Sequence, residues 1–477
     1  MTKKYQIGLL MLLAAAQANA AEGEGSGVVV SESASAAEAE SGVYYDSAAE
    51  TEAADAEAGD AAQAQTAADD EGGGDEGSHV FGYRNGYVHA ALTARGEWTD
   101  NLFNNDSNKQ DNFLTTISPS FWLTLPRRSK RPMQLVSDNT AVGGLQYSPA
   151  DTDEYNKVQA YLSGTIDFMT YSADSDLTHA EGDLDAMLQY KPFDKLTFQA
   201  LDKYTHSQDI FNVAEATSDN NRVYDSNVFG LGAAWYSKDK FSIKGGYRNF
   251  FLEYDEAVND FMNRTDNGFD IALYYEHSPK TNFFLEYQYL MAEYDEKKMP
   301  DNDNNFLGAG VNWQATVKTN LMAKAGYQGV DYDEIEGGSS LSSAYDDSES
   351  NFYFESQGIW QATYKTSLLL NAKYSVEQSD SEQALNKTVL AFRLALDHRF
   401  TDRLRGDVNF VYENSDYAQF SGDERSDDRW YLKPELLYAV NKWLFLSAYC
   451  SFDSKDSNYD GLDYETSTFG LGVRGSF

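Results

Sequence analysis

Residues 203–209 read Lys-Tyr-Thr-His-Ser-Gln-Asp. They set His206 beside Ser207 and close to Asp209, the residue types of a hydrolytic nucleophile with its base. Spacing decides against that chemistry, because neighbours on an extended chain point to opposite faces and His206 cannot activate Ser207 there. The histidines His79, His89, His179, His206, His277 and His398 show no zinc-ligand spacing. Asp301-Asn302-Asp303-Asn304-Asn305 begins like a Ca²⁺ loop. Phe306 stands where the sharp turn needs glycine, and Asn312 stands where the bidentate glutamate belongs. The stretch therefore reads as a solvated acidic loop, with Ca²⁺ retention left open. A single cysteine, Cys450, rules out an internal disulfide and a cysteine-built metal cluster. No enzyme, cofactor or metal site is expected.

The elements around these residues repeat. From Val88 onward, segments of roughly ten residues alternate apolar with polar or small, the period of a strand. In 268–277, Phe269, Ile271, Leu273 and Tyr275 face one way and Asp270, Ala272, Tyr274 and Glu276 the other. The runs 282–291, 307–314 and 403–413 behave alike. Connections alternate between short basic turns, such as 278–281 and 316–319, and long acidic loops rich in Asn, Ser and Gly, such as 331–351. A sheet with one apolar face throughout and no helix to cover it satisfies its backbone in lipid only by closing on itself. The expected fold is all-β: a transmembrane antiparallel up-and-down β-barrel of about 18 strands, with 16 and 20 as alternatives. The stretch 128–194 is the uncertain part, because residues 134–157 could add a hairpin. Pro434 fits a central strand poorly.

Inward positions of such a barrel carry both signs: Arg95, Lys244, Arg248, Lys324, Lys373, Arg393, Arg405, Lys433 and Arg474, with Glu97, Asp270, Glu276, Glu286, Asp407, Glu413 and Glu435. These are the expected pore-lining residues. Tyr274, Phe284 and Tyr431 could stack on sugar rings, although most of the 33 tyrosines suit a headgroup-level girdle. Phe469, Leu471, Val473 and the terminal Phe477 form the lipid-facing set of the last strand.

Residues 1–20 have the two lysines, apolar run and Ala18-Asn19-Ala20 of an export signal. Residues 21–80 carry no Lys or Arg, many Asp and Glu and few apolar groups, so they read as a disordered acidic segment that could plug or gate the barrel. Residues 81–477 are the barrel. The formal net charge of −39 argues against nucleic acid as a partner.

Gly96–Leu125 resembles the first hairpin of the putative beta-barrel porin type 2 family, through Asp100-Asn101-Leu102-Phe103, Asp111 and Ile117-Ser118-Pro119. The resemblance implies an outer-membrane barrel of a Gram-negative bacterium, some of whose relatives accompany exopolysaccharide export, and it carries no catalytic residues over. A last strand ending in Phe is also similar to the insertion signal of that class. The implied function is a passive aqueous pore for hydrophilic solute or polymer, with an association with exopolysaccharide export among what the resemblance implies. A general diffusion porin, or a structural or adhesive barrel acting through acidic loops, is the alternative. Implied partners are outer-membrane lipid and lipopolysaccharide, the barrel-assembly machinery, and polysaccharide or export components.

Overall fold

The structure, a computed structural model, describes residues 86–126, 137–145, 157–172, 177–209, 222–237, 240–296, 298–334, 348–420 and 424–476. The export signal, the acidic segment, His79 and Phe477 lie outside the described residues.

Eighteen strands form one closed antiparallel sheet. They are β1 (Val88–Thr99), β2 (Asn112–Leu125), β3 (Val158–Tyr171), β4 (His179–Phe193), β5 (Leu196–Asp209), β6 (Arg222–Tyr236), β7 (Phe241–Tyr254), β8 (Arg264–Ser278), β9 (Thr281–Tyr294), β10 (Asn302–Thr316), β11 (Thr319–Tyr332), β12 (Ser348–Thr363), β13 (Thr366–Gln378), β14 (Ala384–Arg399), β15 (Leu404–Gln419), β16 (Arg425–Ala439), β17 (Leu444–Ser457) and β18 (Tyr464–Ser476). Each strand pairs with its sequence neighbours, and β18 closes on β1 from Ala91↔Ser476 to Thr99↔Thr468. Closure leaves no edge, which is what the apolar outer face requires. That face exposes Leu92, Ile166, Ile271, Leu285, Leu307 and, in β18, Phe469, Leu471 and Val473.

Strands run to 12–16 residues rather than ten. Their extra turns lie towards the long connections, where outward side chains become polar and pair across strands: Tyr247 with Asn267 (2.8 Å), Tyr289 with Asp303 (2.9 Å) and Tyr412 with Asp428 (2.7 Å). This belt marks the level at which lipid gives way to water. At the opposite rim the turns are short and self-capped. The Thr316 and Thr363 hydroxyls accept the N–H of Lys318 and Lys365, both at 3.1 Å, and touch Thr319 and Thr366.

Pro434 does lie inside a central strand. It faces Val408 of β15, and on its other side the β16–β17 ladder passes from Leu432↔Phe452 to Glu435↔Tyr449 without pairing it. Pro119 makes the same gap between β2 and β3, from Ile117↔Phe168 to Ser120↔Thr165. Each proline lacks an N–H, and the barrel gives up local pairing instead of the strand.

The count of 18 strands holds: among the described residues no hairpin joins the wall between β2 and β3, whose connection runs from Pro126 to Lys157. One expectation needs correction, because Asp301–Asn305 is not a solvated loop. Asn302 opens β10, and Asn302 and Asn304 are buried on the inner face, with Asn302 bonded to Gln378 and Pro300 and Asn304 bonded to Asn302. The two-residue alternation continues further up the strand than its Asn-Asp composition suggested.

Candidate functional site

The barrel interior is the candidate site, and its distinctive feature is the β2–β3 connection. Both ends of that connection sit at the short-turn rim: Leu125 pairs Ala160, and the Lys157 carbonyl accepts the Lys191 N–H at 2.7 Å. Its described residues, 137–145, pack at the other end of the barrel, against the tops of β7, β8 and β13. Ser137 and Leu145 form an isolated antiparallel bridge, so the segment is a small closed turn held inside the lumen.

Its sequence explains its shape. Asp138 accepts the backbone N–H of Thr140 (2.9 Å) and Ala141 (3.2 Å) and the Thr140 hydroxyl (2.9 Å), an Asx turn. Gly143 and Gly144 follow at φ +78° and +72°, the left-handed region that favours glycine. Gly144 also lies flat on the Phe250 ring, whose Cδ2 would stand 2.1 Å from an added Cβ.

The wall grips this turn through polar groups. Arg264 donates to the carbonyls of Asn139 (2.7 Å) and Ala141 (3.4 Å), while Asp266 accepts the Gly143 N–H (2.8 Å). Glu377 accepts the Thr140 hydroxyl (3.1 Å), and the Gln378 N–H donates to the Thr140 carbonyl (2.9 Å). Burial alone would raise the Asp138 carboxyl, but Lys373 and Lys387 and its bonds to Thr140 hold it below the ordinary carboxylate value.

The β13–β14 hairpin completes the closure. β12 and β13 pair only up to Phe354↔Tyr374. Above that, β13 bends inward, and Gln328 of β11 both receives from the Val376 N–H and donates to its carbonyl, each at 2.9 Å. The tip crosses the mouth, where the Asp380 carbonyl accepts from Arg222 of β6 (3.3 Å). Burial would raise the Asp380 carboxyl, but Lys387, Arg222 and Arg425 bring it to about 2. An apolar cluster fills the space between: Leu145, Tyr254, Phe261, Met262, Met299, Val376, Leu385 and Phe420. Phe261 and Met262 come from the 3-10 turn Ala257–Met262.

The sixteen charged residues expected to line a pore all take inward strand positions. Arg95 approaches Glu97 at 3.5 Å, and Glu97 also meets the Tyr449 hydroxyl, whose ring lies on Gly470 and under Lys433. Lys324 bridges Glu286 (3.6 Å) and Glu355 (3.0 Å), Lys373 pairs Glu377 (2.8 Å), and Lys433 pairs Glu435 (3.5 Å). Arg405 holds Asp397 and Asp407, Arg393 bonds Asn409 (3.0 Å), and Glu413 accepts from Ser415 (3.1 Å). Arg248 lies under Gly143, Asp270 beside Gly246, and Arg474 opposite Thr93. Lys244 stands over the ring of Tyr274 (4.7 Å), which packs on Phe284 (5.2 Å). Glu276 is exposed near the short-turn rim, and Tyr431 is half-buried. Sequence reasoning missed Arg264, Asp266, Glu355, Glu377, Arg425, Asp427, Arg429 and Asp453. Extending the parity of Asp270 or Lys373 by a few residues would have found Arg264, Asp266 and Glu377.

His206 lies on the outward face and bonds Asp225 (2.9 Å), whereas Ser207 is buried inward. The stretch Asp100–Phe103 is a clip at the seam: Asp100 accepts the Ser467 N–H (2.8 Å), Asn101 donates to the Glu465 carbonyl (3.0 Å), and Leu102 packs on Leu114, Met169, Tyr171 and Leu177.

Residues 154–477 match the model of the family described as putative beta-barrel porin 2. The chain belongs to that family. The match begins beyond the hairpin whose residues resembled it, so the family stands while Gly96–Leu125 lies outside the matched region. Membership makes this an outer-membrane type of porin barrel. No curated protein sequence matches this porin. Among solved structures, it is similar to OpdO of Pseudomonas aeruginosa, at 11% identity and TM-score 0.39 over 82% of this chain and 97% of that one. It is also similar to the outer membrane protein OpdK of the same organism, at 10% and 0.41 over 82% and 99%, and to OccAB4 of Acinetobacter baumannii, at 10% and 0.40 over 83% and 100%. Nothing about solute or mechanism transfers at that level of likeness.

Proposed function

We propose that this porin is a passive pore for hydrophilic solute in a Gram-negative outer membrane, and that it rests closed. The observation that carries this is the position of residues 137–145: a polar turn seated in the outer mouth and tethered from the periplasmic rim. The wall ladder closes without it, since β2 pairs directly with β3. Withdrawing the turn therefore breaks side-chain and local backbone bonds but no strand pairing. What remains is a charged, hydroxyl-rich wall of the kind that lines aqueous barrels.

A general diffusion porin would be open at rest, and the seated turn supports the closed reading over that one. Passage of a polysaccharide, which the family resemblance implied, asks more: the turn must withdraw and the β13–β14 tip must swing from the mouth. Liposome swelling with sugars of increasing size separates these cases. Uptake of mono- and disaccharides only after the turn is released supports the closed pore. Entry of oligosaccharides in addition supports a polymer path, and no uptake in any form rejects transport.

A further inference from the structure

The short-turn rim repeats a cation. Lys157, Lys195, Lys280, Lys318, Lys365 and Arg403 stand directly before β3, β5, β9, β11, β13 and β15. The backbone carbonyl of each accepts an N–H across the sheet at 2.7–2.8 Å, from Lys191, Tyr236, Gln314, Gln361, Arg399 and Ala439 in turn. These bonds continue each strand's register by one pair. In five of the six strands the residue after the cation lies opposite an outward aromatic: Tyr190, Trp235, Trp313, Trp360 or Tyr438. Neighbours in a strand take opposite faces, so the alternation turns the cations towards the mouth and away from lipid.

The wall leaves most of this charge unmatched. Among the described residues none of the six cations forms an ion pair. Lys191 and Arg399 add to the ring, while Asp194, Asp402 and Glu276 oppose it from the same rim. A cation on every second strand leaves about 10 Å between neighbours, too far for one small anion to touch several but suited to a long acidic chain. This protein carries such a chain. Residues 21–80 hold sixteen Asp and Glu and no Lys or Arg. They lead into β1 at this same rim, where the Tyr87 carbonyl accepts the Thr124 N–H at 2.9 Å. Sixty residues reach at most about 200 Å, against a rim roughly 35 Å across for eighteen tilted strands. A short tether keeps the two at an effective concentration on the order of millimolar, an advantage no free anion has. We infer that the acidic segment 21–80 docks on this ring of cations, across the periplasmic mouth. The docking goes beyond the closed pore and does not depend on it.

The test uses the full-length protein in lipid nanodiscs and a carbodiimide, which joins carboxylates to amines in contact. Cross-links are expected from residues 21–80 to Lys280 and Lys318, and not to Lys109 or Lys298 at the opposite rim. Raising the salt from about 0.05 to about 0.5 M, which shortens the screening length severalfold, should lower their yield at least fivefold. The variant Lys280→Gln, Lys318→Gln, Lys365→Gln, checked for heat-resistant migration in gels, is expected to speed cleavage of the segment by a glutamate-specific protease at least fivefold. Unchanged cleavage in that folded variant, cross-links indifferent to salt, or cross-links shared equally with the opposite rim overturn the docking. Loss of bound phosphatidylglycerol in the variant, with cleavage unchanged, would assign the ring to lipid headgroups instead. The salt series needs no substitution, so it decides even if the variant fails to fold.

Discussion

Arg264 and Asp266, two residues apart on β8 with Nε and Oδ1 at 3.1 Å, hold opposite sides of one turn: the guanidinium takes the carbonyls of Asn139 and Ala141, and the carboxylate takes the Gly143 N–H. Both side chains are out of solvent. Removing one member of a buried pair typically costs about 3–5 kcal/mol, because the other is left charged and alone. Arg264→Met is therefore expected to shift the closed-to-open ratio by on the order of a hundredfold or more, read as open probability in single-channel records. An open probability equal to that of the unaltered protein would remove the pair from the latch.

Gly144 gives an independent handle. Its φ of +72° and the Phe250 ring at 2.1 Å from an added Cβ make Gly144→Val doubly unfavourable. The expected outcome is a barrel with unchanged heat-resistant migration but raised conductance. The turn should also become open to protease. Loss of the barrel itself would mean that the turn supports the wall.

Acid should open the pore, and neutral pH should not. Asp138 and Asp380 both sit below the ordinary carboxylate value, Asp380 at about 2. A depressed pKa contributes stability that is present above the unperturbed value of about 3.9 and is lost as pH falls through the folded one. Conductance is expected to stay flat from pH 8 to 5 and to rise between about pH 4 and 2. A rise centred near pH 6 would take the response away from these two carboxylates.

At the seam, Tyr449 reaches Glu97 by lying across Gly470, where a Cβ would stand 2.1 Å from its ring. Gly470→Leu overpacks this contact and is expected to cost about 1–3 kcal/mol. The readout is a lower temperature for loss of the compact gel form, with conductance of the surviving barrels unchanged.

The strand number and alternation were legible in the sequence because lipid imposes one rule on every outward residue, as Phe269, Ile271 and Leu273 show. The short turns announced themselves by Thr-x-Lys-Thr and Pro-Lys. The seated turn did not. Asp138-Asn139-Thr140 and Gly143-Gly144 spell a turn locally, but nothing in them says that the turn lies in a lumen and not in the wall or outside it. The upper inner residues Arg264, Asp266 and Glu377 escaped for a related reason. Above the lipid the outward face is free to be polar, as with Asp303 and Asp428, so the alternation that marks a strand fades while the strand goes on. The bend of β13 away from β12 depends on Gln328 meeting the Val376 backbone, a contact between residues far apart in sequence with no local trace.

The resting state of the pore is tested most directly by planar-bilayer conductance of two full-length proteins side by side, one unaltered and one carrying Gly-Ser in place of residues 137–145. A closed lumen gives little or no current for the first and a large ohmic current for the second. Equal large currents from both would show that the turn blocks nothing, and the account of a barrel shut from within would have to be given up.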